Sequence, residues 1–294
     1  MPIPAAFASG RRFLGRVLLS VLLVVPLAAF TTAERLFAPS ADLWPRWERH
    51  DPASTAVLDF SAWDAFLKRH VTADGQGVHR LDYGALAAGE RAALDRIVAE
   101  MAAVPISDYA RSEQFAYWVN LYNAVTVKVI ADNFPVDSIR DVDISPGLFA
   151  DGPWDKELVT VEGEGLTLND IEHRILRPIW DDPRIHYAVN CASIGCPNLA
   201  ETAFTGSDLE AQLDAAARGY INDPRGVSIA NGKVTVSKIY DWFHEDFGGS
   251  TRSVLAHLKR YAEPALATQL DEIGTIEGTA YDWSLNGTGS AGGS

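Results

Sequence analysis

The sequence holds two cysteines, Cys191 and Cys196. Both lie in the stretch D-P-R-I-H-Y-A-V-N-C-A-S-I-G-C-P-N-L, residues 182–199, with one of the seven histidines, His186. A sulfur pair at this spacing admits four kinds of chemistry. A thiolate nucleophile needs a base nearby and a third group to orient it. A disulfide needs the intervening turn, which contains Gly195, to bring the two Cα atoms into range. A metal pair needs further ligands, for which His173 and His186 are the candidates. A buried pair needs none of these, since free cysteine packs like a small hydrophobe. There is no Gly-rich phosphate loop after a strand, no G-x-S-x-G and no H-E-x-x-H. Neither a metal nor a cofactor is expected.

The elements that must position these groups follow from local patterns. Ile185, Tyr187 and Val189 alternate with His186 and Ala188, which predicts a short strand over residues 184–190. Ser193, Gly195, Pro197 and Asn198 mark a loop over residues 192–198. On one strand the five-residue offset puts His186 and Cys191 on opposite faces, so that dyad needs a bulge or turn. Cys196 could curl back to His186, and either thiol could meet His173 or His244. Glu172 and His173 belong to a helix expected over residues 170–176, capped by Asn169 and stopped by Pro178.

Residues 112–133 carry the strongest helical pattern. Phe115, Trp118, Val119, Tyr122, Val125, Val129 and Ile130 repeat at three and four residues and form a core face. Asn120 and Asn123, one turn apart, are poor helix formers. Their plainest role is to satisfy buried backbone groups of a neighbouring segment; the alternative is a substrate contact or a catalytic orienter. Further helices are expected over 60–70, 88–104, 209–222 and 251–262. Hairpins are expected at 158–168 and at 227–236, the second turning on Asn231-Gly232. His70, His79 and His257 are expected to be packing or surface residues. The runs D-W-F-H-E-D-F (241–247) and D-G-P-W-D (151–155) set acids beside tryptophan, a pattern that also suits sugar recognition.

The 294 residues carry a formal charge of -14. Residues 1–33 contain Arg11, Arg12 and Arg16 and no acid, leaving 22 basic against 39 acidic residues beyond them. A body this acidic is a poor match for nucleic acid or an anionic membrane surface. Residues 17–30 form an apolar run of fourteen residues, within the ~7–15 of a signal h-region and below the ~20 of a membrane span. The expectation is an exported, periplasmic protein with a signal peptide at 1–33, membrane contact arising only if that segment stays uncut. A linker over 34–54, one globular domain over 55–283 and a disordered tail over 284–294 complete the division.

Several segments resemble one family. Y-W-V-N-L-Y-N-A-V-T-V (117–127), F-P-V-D-S-I-R-D-V (134–142), L-N-D-I-E-H-R-I-L-R-P (168–178), I-H-Y-A-V-N-C-A-S-I-G-C-P (185–197) and V-S-K-I-Y-D-W-F (236–243) are together similar to the domain-of-unknown-function 547 family, over roughly 114–247. The family's name assigns no activity. The resemblance implies that the polar groups of these segments share a site: Asn120, Tyr122, Asn123, Glu172, His173, His186, Cys191, Cys196, Lys238 and Asp241. The fold expected is α+β, helices packed on a small mixed or antiparallel sheet with β-hairpins. A distant likeness to papain or transglutaminase folds would set Asn123 where those enzymes carry their nucleophile.

The expected function is that of a thiol-type hydrolase or transferase acting on a small-molecule or peptide ligand. Cys191 or Cys196 attacks, His186 or His173 is the base, and Glu172 or Asn123 orients it. Asn120, Tyr122, Lys238 and Asp241 are the binding candidates. The competing reading is a non-catalytic binding or scaffold module stapled by a Cys191–Cys196 disulfide. A third, carbohydrate-active reading rests on Trp154, Asp155, Asp241 and Trp242.

Overall fold

The computed structural model describes residues 38–147 and 151–288. The signal peptide expected over residues 1–33 lies outside them. The segment read as a linker is packed where it is described. Asp42 N–H donates to the His173 carbonyl and Trp44 N–H to the Arg174 carbonyl. Trp47, in a 3-10 turn (Pro45–Glu48), is buried and meets Trp118 edge-on at 5.0 Å.

Helix α1 (Ser61–His70) leads into a short antiparallel hairpin, β1 (Val71–Ala73) and β2 (His79–Leu81). Helix α2 (Ala88–Ala102) then packs on the central helix α3 (Arg111–Asn133). A second hairpin follows, β3 (Val159–Val161) with β4 (Glu164–Leu166). A π-helical stretch (Asp170–Leu176) runs without a break into α4 (Arg177–Trp180), and one short turn forms α5 (Ile185–Ala188). After the cysteine loop come α6 (Leu209–Ile221), β5 (Val227–Ala230), β6 (Lys233–Ser237), α7 (Ile239–Trp242), α8 (Thr251–Tyr261), α9 (Pro264–Ile273) and β7 (Gly278–Ala280). Strands β5 and β6 are antiparallel, and β7 joins β6 in parallel. The chain is thus α+β, as expected, with small sheets among its helices. None of the described helices is long and apolar enough to cross a membrane.

Four expectations need correction. Residues 184–190 are not a strand. Asp182-Pro183 opens a turn, with Ile185 N–H bonded to the Asp182 carbonyl, and the chain goes helical through Ala188 before Val189 extends. The alternation misled because every residue from Ile185 to Asn190 is buried, so no face is solvated. Pro178 does not stop its helix. It lies inside a continuous helical run, where the His173 and Arg174 carbonyls behind its missing N–H accept from Asp42 and Trp44 N–H instead, and the left-handed Asp181 ends the helix. Helix α3 buries its full circumference from Glu113 to Val127 rather than one face. The tail is ordered as far as it is described: Leu285 N–H bonds the Asp137 carbonyl, Asn286 N–H bonds the Ala192 carbonyl, and Tyr83 OH donates to Asn286 Oδ1 at 2.9 Å.

Apolar side chains form two cores. One surrounds α3 and takes in Ile185, Ala188 and Val189; the other lies between the β5–β6–β7 sheet and α6, α8 and α9, and takes in Tyr187. The α5 turn therefore straddles a seam between the two cores.

Candidate functional site

A cavity of about 560 Å³ opens along that seam. Its lining combines aromatic side chains, Trp154, Trp242, Phe243, Tyr281 and Trp283, with Tyr122, Glu172, His173, His186, Cys191 and Cys196. These residues come from six separate segments.

The first group of polar side chains comes from the π-helical stretch. A π-turn is wider than an α-turn and bonds each N–H to the carbonyl five residues back, here Arg177 to Glu172. The widening carries Glu172, His173 and Arg177 toward the same side. Arg177 makes a two-pronged pair with Asp246, Nε to Oδ2 at 2.6 Å and Nη2 to Oδ1 at 2.9 Å. Its Nη1 reaches the Pro39 carbonyl at 2.7 Å and His173 Nδ1 at 3.1 Å. The second oxygen job of Asp246 is to accept from His186 Nε2 at 2.7 Å. That bond leaves His186 Nδ1 as the acceptor side of the ring, 3.7 Å from the Glu172 carboxyl. His186 stacks on Phe243 with ring centres 4.3 Å apart.

The charges follow from burial and from these bonds. Burial pushes the Glu172 carboxyl up to about 7, although Arg177 and a hydrogen bond from Tyr122 pull the other way. Burial pushes His186 below the usual histidine range, against the pull of Asp246, and His173 well below it, with Arg177 adding to the effect. Both rings are therefore neutral at pH 7. Burial also works to raise Asp246, but hydrogen bonds from His186 and Arg177 outweigh it and hold the carboxyl ionised. The result is a fixed Arg177–Asp246 ion pair that holds a neutral imidazole, with one carboxyl poised to gain or lose a proton near neutrality.

The second group surrounds sulfur. Cys191 Sγ lies 2.9 Å from Cys196 Sγ, 3.1 Å from the Tyr281 hydroxyl and 3.2 Å from Ser193 Oγ. Both cysteines are free; Cys191 is half-buried and Cys196 buried. The Cys196 hydrogen bond is the largest influence on Cys191 and outweighs burial; with Ser193 and Tyr281 it lowers that thiol to about 7, whereas burial pushes Cys196 up. Backbone N–H of Cys191 donates to Cys196 Sγ at 3.1 Å.

The loop that holds the sulfurs is tied on every side. Asn190 Oδ1 accepts from Ala192 N–H at 2.9 Å, and Asn190 Nδ2 donates to the Pro197 carbonyl at 2.7 Å. Ala192 sits at φ 57°, a left-handed conformation that an alanine adopts only when its surroundings impose it. Arg225 Nη1 holds the Ile194 carbonyl at 3.1 Å and the Cys196 carbonyl at 3.3 Å. Gly195 N–H bonds the Asp282 carbonyl at 2.7 Å, and a Cβ at Gly195 would stand 2.6 Å from Asp282 N. Only glycine lets the chain that carries Tyr281 come this close.

The site residues expected from sequence therefore divide. Glu172, His173, His186, Cys191, Cys196 and Tyr122 line the cavity. Asn123 and Asn120 hold backbone. Asn123 Nδ2 donates to the Ala188 carbonyl at 2.9 Å and its Oδ1 accepts from Asn190 N–H at 2.8 Å, while Asn120 makes the same pair of bonds to Phe204. Lys238 places its ammonium 6.0 Å from the Trp242 ring centre, and Asp241 is buried beside it. His244 lies off the sulfur group, its Nδ1 3.9 Å from Glu245. The hydrogen-bond partners of Cys191 sulfur are hydroxyls and the second thiol, not an imidazole. The direct thiol–imidazole dyad gives way to two adjacent groups on one cavity. Sequence reasoning passed over Arg177, Ser193, Asp246 and Tyr281. Arg177, Ser193 and Asp246 stood in runs already singled out, but Tyr281 had no signal beyond being an aromatic near the end. His257, expected at the surface, is half-buried and bonds Tyr187 OH at 2.9 Å.

Residues 106–221 match the family model described as "Protein of unknown function, DUF547". The match holds α3, the π-helical stretch and the cysteine loop; Lys238, Asp241, Asp246 and Tyr281 lie beyond it. No curated protein and no solved structure matches the chain.

Proposed function

Because the chain belongs, through residues 106–221, to the DUF547 family, whose description assigns no activity, we propose a function from its own side chains: a cysteine-dependent hydrolase or transferase working through Cys191. The observation that carries this reading is the half-buried Cys191 sulfur, held by two hydroxyls and a second thiol, on the same cavity as Glu172. The thiolate attacks an acyl carbon. The Tyr281 and Ser193 hydroxyls are then the nearest donors for the oxyanion that develops. Glu172, near its midpoint at pH 7, gives its proton to the leaving group and then takes one from the water or acceptor that releases the acyl group. His186, fixed by Asp246 and Arg177, holds its Nδ1 toward that carboxyl and positions it.

The test is alkylation by iodoacetamide followed across pH. We expect one fast site, half-maximal near pH 7, that disappears in Cys191→Ala and survives in Cys196→Ala with its midpoint moved up. Labelling of both sulfurs no faster than free cysteine would sink the reading. The competing staple, favoured by the short separation of the sulfurs, predicts instead a mass gain on reduction of the isolated chain. We place the protein outside the cytoplasm on the strength of residues 1–33, and fractionation of cells expressing the full chain tests that placement.

A further inference from the structure

A hydroxyl could supply the hydrogen bond that Cys196 gives Cys191; a second thiol pressed against the first also offers a sulfur to bond with. Cys196 is 6% exposed, the more buried of the two cysteines on this cavity, and its sulfur lies 2.9 Å from that of Cys191. That is closer than ordinary van der Waals contact of about 3.5–4.0 Å even for carbon, and longer than the ~2.05 Å of an S–S bond. This approach is imposed by polar ties: the two Asn190 bonds across the loop, the Arg225 bonds to the Ile194 and Cys196 carbonyls, and the Cys191 N–H aimed at Cys196 Sγ. The loop thus keeps a buried sulfur within one small shift of bonding to an accessible one.

We infer that Cys191 and Cys196 form a thiol–disulfide exchange centre whose substrate is an organic disulfide admitted to the aromatic-lined cavity. The inference rests on the reading of Cys191 as the nucleophile and gives Cys196 the part of the resolving thiol. Cys191 S⁻ attacks one sulfur of R–S–S–R′. A Cys191–S–S–R bond forms, the substrate S–S bond breaks, and R′–S⁻ leaves with the proton of the Glu172 carboxyl. Cys196 then attacks the Cys191 sulfur. A Cys191–S–S–Cys196 bond forms, R–S⁻ leaves, and it takes the proton that Cys196 gives up. The substrate gains two electrons and the cysteine pair loses two. An external dithiol reduces the pair again and is itself oxidised to its disulfide.

The experiment uses the full chain, reduced and freed of reductant, with two probes, oxidised glutathione and a disulfide-linked peptide, and dithiothreitol as the recycling dithiol. The wild type is expected to accelerate reduction of at least one probe above the uncatalysed rate. Acceleration with the peptide alone identifies a polypeptide substrate, and acceleration with both identifies a small one. Cys196→Ser should lose at least tenfold in turnover and accumulate the probe as a mixed disulfide on Cys191, seen by mass; Cys196→Ala is the control for a hydroxyl effect. Cys191→Ser should neither turn over nor hold an adduct. Wild-type turnover unchanged in Cys196→Ser, or a stable mixed disulfide on wild-type Cys191, or no acceleration of either probe, overturns the inference. Iodoacetamide labelling of the same sample separates the failures: fast Cys191 labelling without turnover removes exchange alone, and slow labelling removes the nucleophile as well.

Discussion

The chemistry at Cys191 depends on hydrogen-bonding neighbours, the Cys196 thiol first and then the Ser193 and Tyr281 hydroxyls. Tyr281 stands 3.1 Å from the sulfur, and also 2.9 Å from Ser193 Oγ, which itself touches the sulfur. Tyr281→Phe removes a donor that favours the thiolate. The alkylation midpoint should move up toward the ordinary thiol range, and labelling at pH 7 should slow by several-fold to about tenfold, about 1.4 kcal/mol for each pH unit moved. An unchanged midpoint would leave Tyr281 as packing alone. Glu172 carries the opposite signature. Its carboxyl is raised from 4.5 to about 7 by burial, so the folded state holds a proton that the unfolded state releases. Stability contributed by this group is intact below about pH 4.5 and is lost as pH climbs toward 7. Glu172→Gln lacks that loss. Its stability relative to wild type, followed by urea unfolding, should grow by at most about 1.4 kcal/mol per pH unit between pH 4.5 and 7 and stay level above. A difference independent of pH would contradict the raised carboxyl. These residues were legible by type, since sulfur, imidazole and a carboxyl beside it are few in this chain. Asp246 was not, because one acid in a run of three has no mark of its own until Arg177 arrives from 69 positions away.

Among the elements, α3 does the positioning. Asn120 and Asn123 are an expensive choice in a helix, and here each closes two backbone bonds on a segment that has no sheet to pair with. Asn123 is what holds the residues between Ala188 and Asn190, and so the entry to the cysteine loop. Asn123→Ala leaves a buried carbonyl and a buried N–H without these partners, at roughly 1–3 kcal/mol each. We expect a loss of about 2–5 kcal/mol in urea unfolding, with fast Cys191 labelling reduced because the loop is no longer fixed. Loss of stability without any change in labelling would show that the loop is held by Asn190 and Arg225 alone. The helix itself, both later hairpins and the cysteine loop could be read from periodicity and turn residues. The α5 turn could not be read that way. A four-residue turn buried all round has no solvated face, and its β-forming residues argue for a strand in the absence of one. The start signal was nonetheless present in Asp182-Pro183. The widening at residues 170–176 had no sequence signal, since a π-turn is made by what packs on it.

Taken whole, the molecule is two apolar cores with the chemistry along their seam. Neither core contains the site. Glu172, the cysteines and α3 belong to one side, Tyr281 and Asp246 come in from the segments around the other. The DUF547 match ends before those last two residues, so the matched segment presents sulfur and acid while the following segments supply what holds them. A chain cut after Ala280 tests this division. It loses Tyr281, the Gly195–Asp282 and Ile194–Ser284 backbone bonds and the Asn286 contact with Tyr83. We expect it to keep most of its helical circular dichroism and to lose the low-pH labelling of Cys191. Retention of wild-type labelling would mean that the sulfur pair is set up without the segment that follows Ala280.

The line of backbone bonds from Gly195 and Ile194 to Asp282 and Ser284 also fixes an order of events. Tyr281 follows Cys191 and Ser193, the two residues it bonds through its hydroxyl, by 90 and 88 positions. A growing polypeptide emerging from the ribosome exposes Cys191 and Cys196 long before that tyrosine is made. Until it arrives Cys191 lacks one of the hydroxyls that favour its thiolate, and the newborn chain emerges with its reactive centre incomplete.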